Sequence, residues 1–293
     1  MIRLKINNVD VALNQVSFSD GAKSLSLRGA LPTYCNNATI EATPDGSLPE
    51  LFFEIAQCVD VLRQKNNRIE IKLIMPYIPY ARQDRPMVRN DSFSLRVFAD
   101  LLNSLNLDKV IVVDAHSNVS TALIRNCVHI EQHQLISYSP ILVIFPKDCV
   151  LVAPDEGSLK KINKVADVVK PAGVVVMSKE RDVSTGQIIG SSIVSSPFQS
   201  LEGRTCTIVD DICDGGATFI SIAQKLKEAG VERVYLWVTH GIFSKGLTPL
   251  LEQGIDGVYT TNSLNQSKQL DKDWRGKFCS FNLSPMISAR SLM

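Results

Sequence analysis

The chain has 293 residues, of which 31 are basic and 30 acidic, for a formal net charge of +1. So even a balance gives no bulk electrostatic case for a nucleic-acid or membrane-surface partner, and no stretch approaches the roughly 20 apolar residues of a membrane span. Seven scattered cysteines, odd in number and without Cys-x-x-Cys spacing, read as reduced thiols of a soluble, cytosolic protein.

Short apolar runs alternate with amphipathic helices along the chain. Taken in order, the pattern predicts a strand at 38–41, a helix at 48–63, a strand at 68–75, a helix at 94–105 and a strand at 109–114. It continues with strands at 150–153 and 173–177, preceded and separated by turns and a helix at 158–169. A strand at 206–209, a helix at 217–229 and a strand at 233–239 follow. Such alternation argues for the α/β class, with mainly parallel sheets covered by helices on both faces. The length allows two domains, at about 1–135 and 136–293. Each half carries an echo of the other: a helix, then Asn106-Leu-Asp-Lys-Val-Ile-Val-Val-Asp-Ala-His116 or Gly230-Val-Glu-Arg-Val-Tyr-Leu-Trp-Val-Thr-His240. Both would place a histidine at the carboxyl edge of a sheet, where open α/β sheets bind ligands.

The most informative stretch is Thr207-Ile-Val-Asp-Asp-Ile-Cys-Asp-Gly-Gly-Ala-Thr-Phe219. An apolar strand ends at Asp210 and Asp211, Asp214 with Gly215 and Gly216 forms a turn, and Thr218 is placed to cap a helix. That helix has an apolar face of Phe219, Ile222, Ala223 and Leu226. Backbone N–H groups and the positive end of a helix dipole suit a phosphate. Two adjacent carboxylates suit sugar hydroxyls or a magnesium ion instead, so the combination points to a sugar phosphate. An ordinary strand-to-helix connection explains the glycines and one acid, but not three acids within five positions.

Neither a G-x-x-x-x-G-K-[ST] loop nor a G-x-G-x-x-G fingerprint occurs. Phosphates could be gripped instead by the Tyr80-Ala-Arg-Gln-Asp-Arg85 segment, whose Arg82 and Arg85 bear fork-shaped guanidinium groups and whose Gln83 offers an amide. Oxygen-rich metal candidates are Asp114 with His116, two residues apart on one strand face, and Asp155, just past an apolar strand. His129 and His133 have helical i,i+4 spacing, but Gln132 and Gln134 frame them as a polar surface segment without a third ligand. Lys179 and Arg181 follow the apolar run 173–177 and would project from its carboxyl end. The small polar run 183–187 after them suits a flap over a substrate.

Val209-Asp-Asp-Ile-Cys-Asp-Gly-Gly-Ala-Thr218 resembles the ribosyl-phosphate loop shared by type I phosphoribosyltransferases and ribose-phosphate pyrophosphokinases, with Gly215 in place of a threonine. Further segments favour the second family. Phe18-Ser-Asp-Gly21 resembles its adenine-contacting Phe-x-Asp-Gly, followed here by Ala22 where the family has Glu. Met75-Pro-Tyr-Ile-Pro-Tyr-Ala-Arg-Gln-Asp-Arg85 is similar to its Pro-Tyr-x-x-Tyr-Ala-Arg-Gln-Asp signature. Val113-Asp-Ala-His116, Ala153-Pro-Asp-Glu-Gly157, Ser178-Lys-Glu-Arg181 and Thr239-His-Gly-Ile-Phe-Ser244 complete the set in family order.

The resemblance implies two similar phosphoribosyltransferase-type I domains and Mg2+-dependent transfer of the diphosphoryl group of ATP to the C1 hydroxyl of ribose 5-phosphate. The products would be 5-phosphoribosyl 1-diphosphate and AMP. It assigns ATP to Phe18, Asp20, Arg82, Gln83, Arg85 and His116, and catalysis to Lys179 and Arg181. Ribose 5-phosphate falls to Arg181, Asp210, Asp211, Asp214, Gly215, Gly216, Ala217 and Thr218; magnesium falls to Asp114, His116 and Asp155. It also implies a cytoplasmic homo-oligomer, dimer or hexamer, and a segment after Val258 that returns to the first domain. The loop Arg85-Pro-Met-Val-Arg-Asn-Asp91 lacks the family's Ser-Arg-x-Pro pattern, and the chain stops at Met293 before the family's final polar segment. Both features imply weak regulation by phosphate or ADP. A catalytically silent regulatory relative is one alternative, favoured by Ala22 and Gly215; a phosphoribosyltransferase is the other, but it leaves the Phe18 and Arg82 segments without a task.

Overall fold

A computed structural model describes residues 1–29, 34–137, 140–181, 188–265 and 274–291. The chain divides into two units, Met1–Ile130 and Glu131–Met293. The first contains β1 (Ile2–Ile6), β2 (Val9–Ser17), β3 (Lys23–Arg28), β4 (Asn37–Ala42), α1 (Leu48–Lys65), β5 (Glu70–Ile74), α2 (Ser94–Ser104), β6 (Lys109–Val113), α3 (Asn118–Leu123) and β7 (Cys127–Ile130). Among the described residues these strands form a seven-stranded sheet in the order β3-β2-β1-β4-β5-β6-β7. Strands β4 to β7 are parallel, whereas β1, β2 and β3 join antiparallel.

Helix α1 shows how the sequence dictates its place. Ser47 caps it by accepting the Glu50 N–H at 3.4 Å, a proline occupies the first turn, and Arg63 and Lys65 lie in the last turn against the dipole. Its buried residues, Leu51, Ile55, Cys58, Val59 and Leu62, fall on one helical stripe that packs on β1, β3 and β4.

The second unit contains α4 (Gln132–Ser137), β8 (Val150–Ala153), α5 (Leu159–Val169), β9 (Gly173–Arg181), β10 (Ile188–Ser195), β11 (Thr205–Cys213), α6 (Ala217–Glu228), β12 (Arg233–Gly241), α7 (Thr248–Glu252), β13 (Gly257–Thr261), β14 (Phe278–Phe281) and α8 (Ser284–Ser291). Its sheet runs β10-β9-β8-β11-β12-β13-β14, parallel except for β10 against β9. From β8 the chain winds outward through β9, then resumes on the other side of β8 with β11 and winds the opposite way. The β8/β11 boundary is therefore a topological switch point, the crevice at which such sheets bind ligands. The parallel strands β4 to β7 of the first unit progress in one direction and have no such reversal.

The α/β class with two mainly parallel sheets stands as the sequence predicts. The segment after Val258 differs: β14 pairs in parallel with β13, Val258 opposite Phe278, and extends the second sheet. Ladder hydrogen bonds and the packing of Phe278 against Phe243, with ring centroids 6.2 Å apart, hold it there.

The second core is built around fully buried Val150, Val152, Ile208, Leu226, Leu236 and Val258, and each such side chain contributes about 1.5–3 kcal/mol by leaving water. Leu236→Ala, at the centre of β12, should lower the unfolding free energy by about 2–5 kcal/mol. Urea unfolding followed by tryptophan fluorescence would measure it, and a loss under about 1 kcal/mol would show that this strand is not central to the core.

Candidate functional site

Strand β11 does not end at its acids. It runs to Cys213 because β12 continues beside it, with Asp210 opposite Val238, Ile212 opposite His240 and Cys213 opposite Gly241. Strand alternation then sets the acids in different surroundings. Asp211 is buried at 5% exposure and Asp210 is half-buried. The Asp211 N–H donates to Asp210 Oδ1 at 2.9 Å, and Lys161 Nζ of α5 stands 3.9 Å from Asp211 Oδ2. Burial pushes the Asp210 carboxyl well above the usual carboxylate range, and the neighbouring Asp211 charge pushes it further the same way.

Beyond the acids, the Cys213 carbonyl accepts from Ile242 N at 2.8 Å and Phe243 N at 3.1 Å, which ties the end of β11 to the turn after β12. Asp214 and Gly215 then lead to Gly216, the N-cap of α6, at φ +81°. No side chain caps this helix, and Thr218 lies inside its first turn instead of capping it, because Gly216 already occupies the cap position. The first-turn N–H groups around Ala217 and Thr218 need acceptors from outside the helix. The face that α6 buries is Phe219, Ile222, Ala223 and Leu226, as its sequence spacing predicts.

The start of α4 departs from the sequence reading. Gln132 is not part of a polar surface: it is 1% exposed, and its Nε2 donates to the Asp210 carbonyl at 2.7 Å and to Thr239 Oγ1 at 3.1 Å. Glu131, beside it, pairs with Lys164 of α5 and stands 3.4 Å from His133 Nδ1. His129 and His133 do not share a helix, since His129 lies on β7, where its Nε2 accepts the Ala115 N–H at 2.9 Å. Around Thr239 the edge of the sheet is polar yet buried: its carbonyl accepts from Thr261 Oγ1 at 2.7 Å and Ser263 Oγ at 3.2 Å, and His240 Nδ1 lies 2.8 Å from Ser263 Oγ.

In the first unit, Asp114 and His116 do not lie on one strand face. Strand β6 ends at Val113, and Asp114 turns to φ +41°, with its N–H donating to Ile130 O at 2.8 Å. Asp114 is thereby buried at 1% while His116 is exposed. Residues Pro76 to Pro79 are buried at the carboxyl ends of β5 and β6, where Val113 N donates to Pro76 O at 3.0 Å. From that base Tyr80, at φ +61°, turns the chain outward, so Arg82, Gln83 and Arg85 are exposed. Phe18 and Asp20 occupy the tip of the β2–β3 hairpin. Phe18 is 56% exposed, and Asp20 Oδ1 accepts the Ala22 N–H at 3.0 Å.

Asp155 follows β8 at the switch point of the second sheet and takes on a structural task, because its Oδ1 caps the following turn by accepting Ser158 N at 3.0 Å. Lys179 and Arg181 lie within β9, which runs on through them because β10 pairs alongside, Ser191 opposite Lys179 and Ile188 opposite Arg181. For these two residues the description extends to the backbone, and the flap at 183–187 lies outside the described residues. Among the described residues no three His, Cys, Asp or Glu side chains converge as a metal cage. The donors present fit a hard cation that keeps waters and phosphate oxygens as ligands, and no protein-only site is built.

A phosphoribosyl transferase domain model matches residues 131–250. A ribose-phosphate pyrophosphokinase of Vibrio cholerae is 28% identical over 298 aligned residues, covering 98% of this chain and 88% of that protein. One from Corynebacterium efficiens is 30% identical over 219 residues, covering 72% of this chain and 64% of the relative. The crystal structure of phosphoribosylpyrophosphate synthetase from Mycobacterium smegmatis superposes with a TM-score of 0.81 at 23% identity, over 97% of this chain and 90% of that one, and so shares the fold.

The two loop glycines should respond differently to substitution. A Cβ on Gly216 would meet Leu250 Cδ2 at 2.7 Å and hold a left-handed φ, whereas a Cβ on Gly215 meets Lys245 Cε at an ordinary 3.5 Å. Gly216→Ala should cost about 1–3 kcal/mol of stability. Gly215→Ala should stay within about 0.5 kcal/mol. Equal thermal shifts for the two variants would show that the turn does not have this geometry.

Proposed function

The chain belongs to the ribose-phosphate pyrophosphokinase family, and from that premise we propose that it makes 5-phosphoribosyl 1-diphosphate from ATP and ribose 5-phosphate. The observation that carries the reading is the end of β11: an acid pair, a glycine turn and an uncapped helix start follow one another within nine residues, Asp210 to Thr218, at the switch point of a parallel sheet. Asp210, Asp211 and Asp214 accept hydrogen bonds from the sugar hydroxyls. The backbone of Gly215, Gly216, Ala217 and Thr218, at the positive end of α6, takes the 5-phosphate.

ATP falls to the first domain, about residues 1–135. Phe18 offers an exposed ring for the adenine and Asp20 an acceptor for its amine. Arg82, Gln83 and Arg85, which follow β5, offer donors to the phosphates, with His116 following the neighbouring strand β6. The C1 hydroxyl oxygen attacks the β-phosphorus, the bond from that phosphorus to the oxygen bridging the α-phosphate breaks, and AMP leaves. The hydroxyl proton passes to solvent. Lys179 and Arg181, at the carboxyl end of β9 in the second domain (about 136–293), stabilise the charge on the transferring group, and Arg181 also serves the sugar phosphate. Asp155 would hold magnesium in the second unit and the Asp114–His116 segment in the first, and the ion would supply neutralisation of polyphosphate charge. Among the described residues no helix is long and apolar enough to cross a membrane, and we place the protein in the cytoplasm as a homo-oligomer, dimer or hexamer.

Incubation with ATP, Mg2+ and ribose 5-phosphate should release AMP in step with loss of ribose 5-phosphate. A chain that binds the sugar phosphate but forms no AMP would instead be the silent relative allowed by Ala22 and Gly215. Within the active protein, Lys179→Ala should lower kcat by about 10²–10³-fold with little change in ATP affinity, because a cation acting on developing charge contributes mainly in the transition state. A variant with near wild-type kcat would remove Lys179 from the mechanism.

A further inference from the structure

Gln132 opens α4 where the second unit begins, and it is 1% exposed. A side-chain amide at that depth must satisfy two donors and an acceptor. Nε2 donates both hydrogen bonds, 2.7 Å to the Asp210 carbonyl and 3.1 Å to Thr239 Oγ1, while Oε1 is buried without a hydrogen-bond partner. Reversing the amide would turn an acceptor toward the Asp210 carbonyl, so that carbonyl dictates the orientation seen. Asp210 and Thr239 stand on the neighbouring strands β11 and β12, and Gln132 bridges them at their carboxyl ends.

The bond lands on a particular peptide. The carbonyl of Asp210 and the N–H of Asp211 belong to one planar unit. Gln132 holds the carbonyl end of it, and the N–H end donates to the Asp210 carboxylate, Oδ1, at 2.9 Å. A rotation of that plane would swing the N–H away from the carboxylate and release it.

We propose that Gln132 is a positioning residue for the sugar-phosphate acids: by clamping the Asp210–Asp211 peptide it fixes the direction of the Asp210 carboxylate and thereby sets the affinity for ribose 5-phosphate. The inference rests on the function proposed above and adds a residue that the function itself does not require. It also separates Gln132 from a residue that merely supports the fold. A supporting residue, when lost, lowers the fraction of active protein and leaves the affinity of the surviving fraction for both substrates unchanged.

The test uses the full chain. Gln132→Met keeps the length and removes both donors, Gln132→Glu sets an acceptor against the Asp210 carbonyl, and Gln132→His returns a ring donor. Calorimetry gives the ribose 5-phosphate Kd, and steady-state kinetics give KM for each substrate. In Gln132→Met, Kd and KM for ribose 5-phosphate should rise about tenfold, the usual consequence of one buried carbonyl left unpaired. KM for ATP should stay within about twofold, because no bond of Gln132 reaches the ATP residues. Gln132→His should recover part of the loss, and Gln132→Glu should match or exceed the loss in Gln132→Met. If Gln132→Met does not fold, Gln132→Glu against Gln132→His makes the same comparison. Unchanged ribose 5-phosphate affinity in a folded variant, or parallel loss for both substrates, would overturn the proposal. A wild-type chain that binds no ribose 5-phosphate would overturn the function proposed above, a result separate from any behaviour of the variants.

Discussion

Two carboxylates on consecutive residues repel each other and resist leaving water, and β11 places such a pair at a sheet edge with Asp211 5% exposed. The surrounding structure answers that constraint piece by piece. The Asp211 N–H turns onto the Asp210 carboxylate, Lys161 of α5 approaches Asp211, and Gln132 holds the peptide between the acids. The pair with Lys161 is long at 3.9 Å and partly exposed, so it contributes less than the short bonds do. Strand order completes the arrangement. With β8 and β12 on either side, β11 lies next to the one reversal in the second sheet, and its loop emerges beside the turn that carries Asp155.

The two units share a plan and differ at their edges. Their echoed segments each run from a helix into a strand and reach a histidine, yet His116 is exposed past the end of β6 while His240 lies within β12 at 2% exposure, bonded to Ser263. The cause is the length of the strand. β6 stops at Val113, where Asp114 turns left-handed, whereas β12 is held straight through His240 by its ladder with β11. One histidine is therefore exposed and the other is a member of the polar network beneath Thr239.

The parallel core was legible because its strands are short unbroken apolar runs, such as Val150–Ala153, and its helices carry clear stripes. Strand β2 was not, since it has no buried residue and gives no alternation to detect. Strand ends were misread for a related reason. Asp210, Asp211, Lys179 and Arg181 look like loop residues by composition, but ladder bonds to β12 and β10 hold them extended. The acid loop was legible from chemistry, because three acids around a glycine turn have few structural explanations. Gln132 was not. Flanked by Glu131, His133 and Gln134, it reads as surface, and its burial comes from partners 78 and 107 positions away.

The burial of the acids sets stability against function. Asp210 titrates above its unfolded value, so its protonated form is the one the fold favours. That contribution is complete below the unfolded pKa and is lost as pH rises from there through the folded pKa. Above that window the native state carries an ionised pair it would rather protonate, and groups that donate to the pair restore part of the loss. On the function proposed above, sugar hydroxyls act as such donors. On that reading the carboxylates of this strand end are already aimed, so little ordering entropy is spent at the moment of binding. On the role proposed for Gln132, its bond to the Asp210–Asp211 peptide keeps that aim, and the unpartnered amide oxygen at the start of α4 is the cost of holding it.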